Sequence, residues 1–144
     1  MKRAFSLLEI IIVILVISII LSFAVSKYDS IFTSSNLTKL KSQFTLIQSG
    51  ISNKKTKDVL LSKSTSLDSL DNATALVKNE KLFSYVIDFD IISTDETEKS
   101  KGKWLKVDSK NYTYFLNSDK KILFSFNGNS FSCKSPKEIC EELQ

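Results

Sequence analysis

The sequence predicts an α+β protein in which a long N-terminal transmembrane and amphipathic helix packs on a small antiparallel β-sheet. Three patterns support this fold class. An almost uniformly apolar run occupies residues 5–25, apolar residues then recur at helical spacing as far as Ile51, and the last third of the chain alternates with period two. The first two patterns are typical of helices and the third of strands.

The N-terminal apolar run contains a single charged residue, Glu9, and the next charge is Lys27. As a helix, these residues would extend over ~31 Å, about the thickness of a bilayer core. A carboxylate costs ~2.5–3.5 kcal/mol in such a segment on insertion scales, so Glu9 is predicted to be functional and to have a partner. Lys2 and Arg3 orient the N-terminus toward the cytoplasm by the positive-inside rule.

A second helical pattern follows the apolar run. Apolar residues alternate at spacings of three and four, with polar residues between them, at Leu37, Leu40, Phe44, Ile47 and Ile51. This pattern predicts an amphipathic helix with one narrow apolar face. Because no proline precedes Pro136, we expect one continuous helix of ~70 Å from Phe5 to about Ile51. Gly50 and Asn53 are the predicted stop signals.

The middle of the chain is predicted to be a polar connector, residues 53–80, that holds one short helix at 67–77. Asp68 and Asp71 lie near the start of that helix, where the helix dipole favours acidic residues. Residues 81–87 are ambiguous between helix and strand. The acidic segment 88–101 is predicted to be an exposed loop.

Four short segments of the last third are predicted strands, separated by Asn-, Asp-, Ser- and Gly-containing turns: residues 104–107, 112–116, 122–126 and 130–133. Together they form a three- or four-stranded antiparallel meander. Its aromatic face is expected to pack on the amphipathic half of the helix.

The two cysteines, Cys133 and Cys140, are separated by six residues near the C-terminus. An oxidising compartment would permit a disulfide between them. A metal site would need more ligands, and the chain has no histidine, so the disulfide is favoured and no metal site is predicted.

The order of features at the N-terminus resembles type IV prepilins and type II secretion pseudopilins. A basic leader, a phenylalanine, a glutamate and a long Ile/Val/Leu run stand at residues 2–4, Phe5, Glu9 and residues 10–25. The resemblance implies that a membrane peptidase cuts between Ala4 and Phe5 and then N-methylates Phe5. It also implies that Glu9 neutralises the terminal amine of an adjacent subunit. The family usually has glycine before the cut, where this chain has Ala4.

The resemblance also implies a pilin-like fold, and a disulfide-bounded C-terminal loop resembles the one in many pilins. The predicted organisation is a leader at residues 1–4, a transmembrane and assembly helix at 5–26, an amphipathic helix at 27–53 and a globular head at 54–144. The expected location is the bacterial inner membrane, with a single pass and the C-terminal head in the periplasm, and a filament after assembly.

The function implied is that of a structural subunit of a type IV pilus-like filament or a type II secretion pseudopilus. Its expected partners are other pilins or pseudopilins, the prepilin peptidase, the inner-membrane assembly platform and the membrane itself. A monomeric, membrane-anchored periplasmic binding module is the alternative. Secretion, DNA uptake and an extended pilus all stay open as the role of the filament.

An enzyme is not expected, and no cofactor is predicted. Without histidine the commonest general base is absent, and none of the three glycines belongs to a phosphate-binding loop. The net charge of +4 comes from lysines interleaved with Asp and Glu, so no nucleic-acid partner is predicted.

Overall fold

The computed structural model describes residues 7–63, 66–97 and 100–143, and for residues 24–30 the backbone alone. The chain is α+β, with a long N-terminal helix and antiparallel sheets, as the sequence predicts. Helix α1 covers Leu7–Leu60 and helix α2 covers Lys137–Glu141. The strands are β1 (Lys81–Leu82), β2 (Ile91–Ile92), β3 (Lys103–Lys106), β4 (Asn111–Phe115), β5 (Lys121–Phe126) and β6 (Phe131–Cys133).

The chain divides into two compact units, Met1–Ser34 and Ser35–Gln144. In the first unit, residues 7–23 belong to α1, and all of their large apolar side chains are between 47% and 77% exposed. Ile, Val and Leu therefore face outward around the whole circumference of this part of the helix.

The predicted localisation needs a correction. Within residues 7–63, 66–97 and 100–143, no helix is both long enough and apolar enough to cross a membrane. This finding contradicts the single-pass inner-membrane topology and the transmembrane character assigned to the first helix.

In the second unit, α1 contributes the narrow apolar stripe that the 3-4 spacing predicts. Leu40, Phe44, Ile47 and Ile51 are at most 8% exposed, while the residues between them are mostly exposed. Phe44 meets Phe124 and Phe131 of the sheet at ring-centroid distances of 5.4 and 6.0 Å. The amphipathic part of the helix therefore forms one wall of the head's core.

The other wall of the core is a four-stranded antiparallel sheet in the order β3-β4-β5-β6, which confirms the predicted meander. Trp104, Tyr114 and Ile122 are lateral neighbours on β3, β4 and β5, and all three are buried. Period-two alternation places them on the face turned toward α1. A second, two-stranded sheet pairs β1 with β2.

Helix α1 ends at Leu60, beyond the stop predicted near Gly50 and Asn53. Gly50 is buried, and a Cβ atom there would overlap the carbonyl oxygen of Val86. The glycine therefore permits close contact with a neighbouring turn and does not end the helix. Its termination instead uses Ser62 in the left-handed conformation, with φ of 52°.

The connector differs from the prediction, because residues 67–77 contain no helix. Asp71 is 2% exposed, and its carboxylate accepts the backbone N–H groups of Ala73 and Phe83, at 3.1 and 2.8 Å. In a helix over residues 67–77, the Ala73 N–H would have bonded to a backbone carbonyl, whereas here it bonds to the Asp71 side chain. The segment predicted as an exposed loop also contains β2, and Ile91, Ser93 and Thr94 within it are buried.

The C-terminal segment is tied back to the sheet. The structure contains the predicted disulfide between Cys133 on β6 and Cys140 on α2. Leu143, just beyond α2, is 6% exposed and belongs to the core cluster. The disulfide and this leucine hold α2 beside β6.

Candidate functional site

The candidate site is the surface of residues 7–23 of α1. A helix that is apolar on all sides needs cover, because water disfavours a contiguous apolar surface of this size. Within residues 7–23, the Ser18 hydroxyl donates a hydrogen bond to the Ile14 carbonyl at 2.8 Å. This bond satisfies the hydroxyl within the helix and leaves the surface apolar there.

Glu9 lies in the first turn of α1 and is exposed. The partial positive charge at a helix N-terminus stabilises a carboxylate at this position. Beside it runs a groove of about 270 Å³ lined by Glu9, Ile10, Val13 and Ile14. Glu9 and Val13 form one ridge of the helix surface, and Ile10 and Ile14 form the next.

Ridges of this kind take the side chains of another helix into the groove between them. A helix docked here would lie against aliphatic side chains and have the Glu9 carboxylate at its side. The arrangement is suited to helix–helix packing with one charged contact. Among the residues that the structure describes, Glu9 is the only titratable group that lines this groove.

The other predicted site residues lie apart from this surface in the chain. Ala4 and Phe5, the expected cleavage and methylation positions, lie outside the described residues. Cys133 and Cys140 are joined in the second unit. Among the residues that the structure describes, no group of three or more His, Cys, Asp or Glu side chains could hold a metal ion.

Sequence reasoning missed one buried polar cluster in the head. The Asp71 carboxylate accepts hydrogen bonds from Lys106 Nζ at 2.6 Å and from the Tyr112 hydroxyl at 2.9 Å. Burial, and then the charge and hydrogen bond of Asp71, raise the pKa of Tyr112 far above its usual value. Lys106 itself could have indicated this cluster, because alternation along β3 places it on the same inward face as Trp104, where a lysine needs a buried partner.

No family model, curated protein or solved structure matches this chain. The assignment of a function therefore depends on the residues and on the geometry described above.

Proposed function

We propose that this chain is a filament subunit of the type IV pilus and type II secretion superfamily, assembled through residues 7–23 of α1, here named the assembly helix. The observation that carries the proposal is the exposure of every large apolar side chain between residues 7 and 23. The order of basic leader, Phe5 and Glu9, which resembles prepilins, supports the same function.

The free energy of covering this surface favours assembly. Burying a large aliphatic side chain from full exposure contributes ~1.5–3 kcal/mol. Thirteen such side chains and Phe23, each about half exposed or more, give a gross gain of on the order of 10–20 kcal/mol for one helix. That gain is large enough to offset the loss of translational and rotational freedom on association, ~4–15 kcal/mol.

Glu9 gives the packing its register. In a bundle of apolar helices the Glu9 carboxylate loses water, and a desolvated carboxylate requires a cationic partner. Cleavage after Ala4 would create a new amine at Phe5, close in sequence to Glu9. The amine of one subunit then pairs with Glu9 of the next, and a shift of one helix along the other would leave both charges unpaired.

Processing depends on the small side chain before the cut. The prepilin peptidase would cleave between Ala4 and Phe5 and methylate Phe5. An Ala4→Glu change should block cleavage and leave full-length precursor visible on a gel, whereas Ala4→Gly should be processed. Normal processing of Ala4→Glu would exclude this peptidase as the partner.

The test of assembly compares Glu9→Leu with Ser18→Ala by electron microscopy of filaments, in cells that carry the assembly platform. Glu9→Leu should reduce filament number by tenfold or more, since the terminal amine of the neighbouring subunit loses its counter-charge. Ser18→Ala should assemble normally because the Ser18 hydroxyl bonds only within its own helix among the described contacts. Normal filaments from Glu9→Leu would refute the charge-pairing role.

A further inference from the structure

We propose that neighbouring copies of this chain also bind through their heads, with an apolar knob of one copy docked in a groove of the next. The knob comprises Val59, Leu60 and Leu61. The groove, here named the head groove, lies between α1, β6 and α2. This contact rests on the proposed filament function and deepens it by naming the second subunit interface.

The knob is unusually exposed for three consecutive aliphatic residues. Val59, Leu60 and Leu61 are 62%, 79% and 53% exposed. They are also held in place, because Ser62 N–H donates to the Val59 carbonyl at 3.0 Å and Lys63 N–H donates to the Asp58 carbonyl at 2.8 Å. This pair of bonds is the Schellman arrangement that closes a helix. The knob is therefore pre-organised and loses little conformational entropy on docking.

The head groove has an apolar floor and a volume of about 520 Å³. Phe44, Phe131 and Leu143 form the floor, and Thr45, Gln48 and the disulfide-linked cysteines are among the residues of the walls. Gln48 Nε2 donates to the Phe131 carbonyl at 3.3 Å and thereby joins α1 to β6. A groove of this shape accepts aliphatic side chains while its rim stays polar.

A second cavity of about 290 Å³ continues the groove along α1 and shares Gln48, Ser130 and Phe131 with it. The last α1 residue that lines this continuation is Lys55. Lys55 Nζ donates to the Asn129 carbonyl at 2.6 Å and closes that end.

The charges around the two surfaces are complementary. Residues 54–63 hold four lysines and one aspartate, a net charge of +3 beside the knob, and one of these lysines, Lys55, also lines the end of the groove's continuation. Residues 137–142, which form the α2 end of the groove, hold one lysine and three glutamates, a net charge of −2. Glu138, Glu141 and Glu142 are exposed. This opposite sign favours a second copy of the same chain as the occupant.

The geometry favours docking between copies over docking within one. Along α1, Leu60 lies five residues, ~7.5 Å, beyond Lys55, the last α1 residue of the groove's continuation. Two different surfaces meeting in this way make a heterologous contact, and such contacts generate closed rings or, where the rotation does not close, open helical filaments. The head contact is thus compatible with a filament.

The experiment cross-links two isotopically distinct copies of the full chain. A donor copy carries the photo-reactive residue benzoylphenylalanine in place of Leu60, and an acceptor copy is labelled with heavy nitrogen. After illumination, mass spectrometry should find mixed-isotope peptides that join position 60 to residues 130–143 or 44–52. A donor with the same photo-reactive residue at the exposed Tyr85 is the matched control and should not label these segments.

An acceptor that carries Thr45→Trp tests the groove itself, because Thr45 is exposed on α1 and lines the groove, which the indole would fill. With its unfolding midpoint checked against the unmodified chain, this acceptor should give about a tenfold lower yield of cross-link, the loss of roughly one buried leucine contact. An unchanged yield, or mixed-isotope links from position 60 to other segments, would overturn the proposal.

The head contact and the filament function can fail separately. Filaments that form normally while position 60 labels other segments would refute the head contact and leave the assembly helix in place. Specific labelling of the head groove in a chain that never forms filaments would refute the filament function and keep the head contact.

Discussion

Asp71 and Lys106 form a buried ion pair, with Asp71 Oδ1 2.6 Å from Lys106 Nζ and the two side chains 0% and 6% exposed. The same carboxylate accepts hydrogen bonds from the Tyr112 hydroxyl and from the N–H groups of Ala73 and Phe83. One side chain thereby ties the connector to β3 and β4. The helix-free conformation of residues 67–77 depends on this cluster.

Replacing Lys106 with methionine should destabilise the head by about 3–5 kcal/mol, because Asp71 would stay buried without its counter-charge. The measurement is urea unfolding of the full chain followed by tryptophan fluorescence, since Trp104 lies in the core. The control is Lys137→Met in the exposed pair with Glu141, where the side chains are 88% and 62% exposed. That change should alter stability by less than ~0.5 kcal/mol. Equal effects of the two substitutions would contradict the structural role given to Asp71.

Gly50→Ala should destabilise the head although alanine favours helices by ~1 kcal/mol over glycine. The added Cβ would overlap the Val86 carbonyl oxygen, which is backbone and cannot move away alone. Overpacking of this kind costs ~1–3 kcal/mol, enough to reverse the sign expected from propensity. Thermal unfolding provides the measurement, with Ser49→Ala on the exposed side of the same turn as control. A higher midpoint for Gly50→Ala would show that the close contact is absent.

Ser62→Gly should stabilise the end of α1 by up to ~1 kcal/mol. Ser62 has φ of 52°, a conformation that glycine adopts without steric cost. The matched comparison is Ser52→Gly within the helix, which should destabilise by ~0.5 kcal/mol. Chemical denaturation of both variants should move the midpoint in opposite directions. Destabilisation by both substitutions would contradict the left-handed helix end.

Ionisation of the buried Tyr114 should lower the free energy of unfolding in alkaline solution. Burial raises the pKa of Tyr114 from 10.0 to about 12, and its hydroxyl donates to the Asn36 carbonyl at 3.0 Å. Because the folded pKa is raised, the contribution is fully present below pH 10 and is lost as pH rises through about 12. The difference in unfolding free energy between wild type and Tyr114→Phe should therefore shrink over that range. If this difference grew with pH, the pKa of Tyr114 would be lowered by folding and not raised.

The regular part of the fold could be predicted from the sequence because periodicity reports burial directly. The 3-4 spacing from Leu40 to Ile51 identified the buried face of α1, and the alternation after Trp104 identified the strands of the meander. The spacing of Cys133 and Cys140 near the chain end likewise indicated their disulfide. Each of these signals is local, so a single sequence contains it.

The parts that could not be predicted depend on contacts between distant residues. A glycine at position 50 is typical of a helix end, and only the close approach of the Val86 carbonyl shows that Gly50 is needed for packing. Asp71 suits a helix start, and only Lys106 and Tyr112, far along the chain, show why it is buried. At the candidate site, the sequence indicated Glu9 but not the groove with Val13 and Ile14 beside it.

The most direct test of the filament account is mass spectrometry of the N-terminus of the chain isolated from cells. A filament subunit of the proposed kind should begin at Phe5, with a methyl group on its amine and without residues 1–4. A chain that still begins with an unmodified Met1 in assembly-competent cells would contradict it, because Glu9 would then have no Phe5 amine to neutralise.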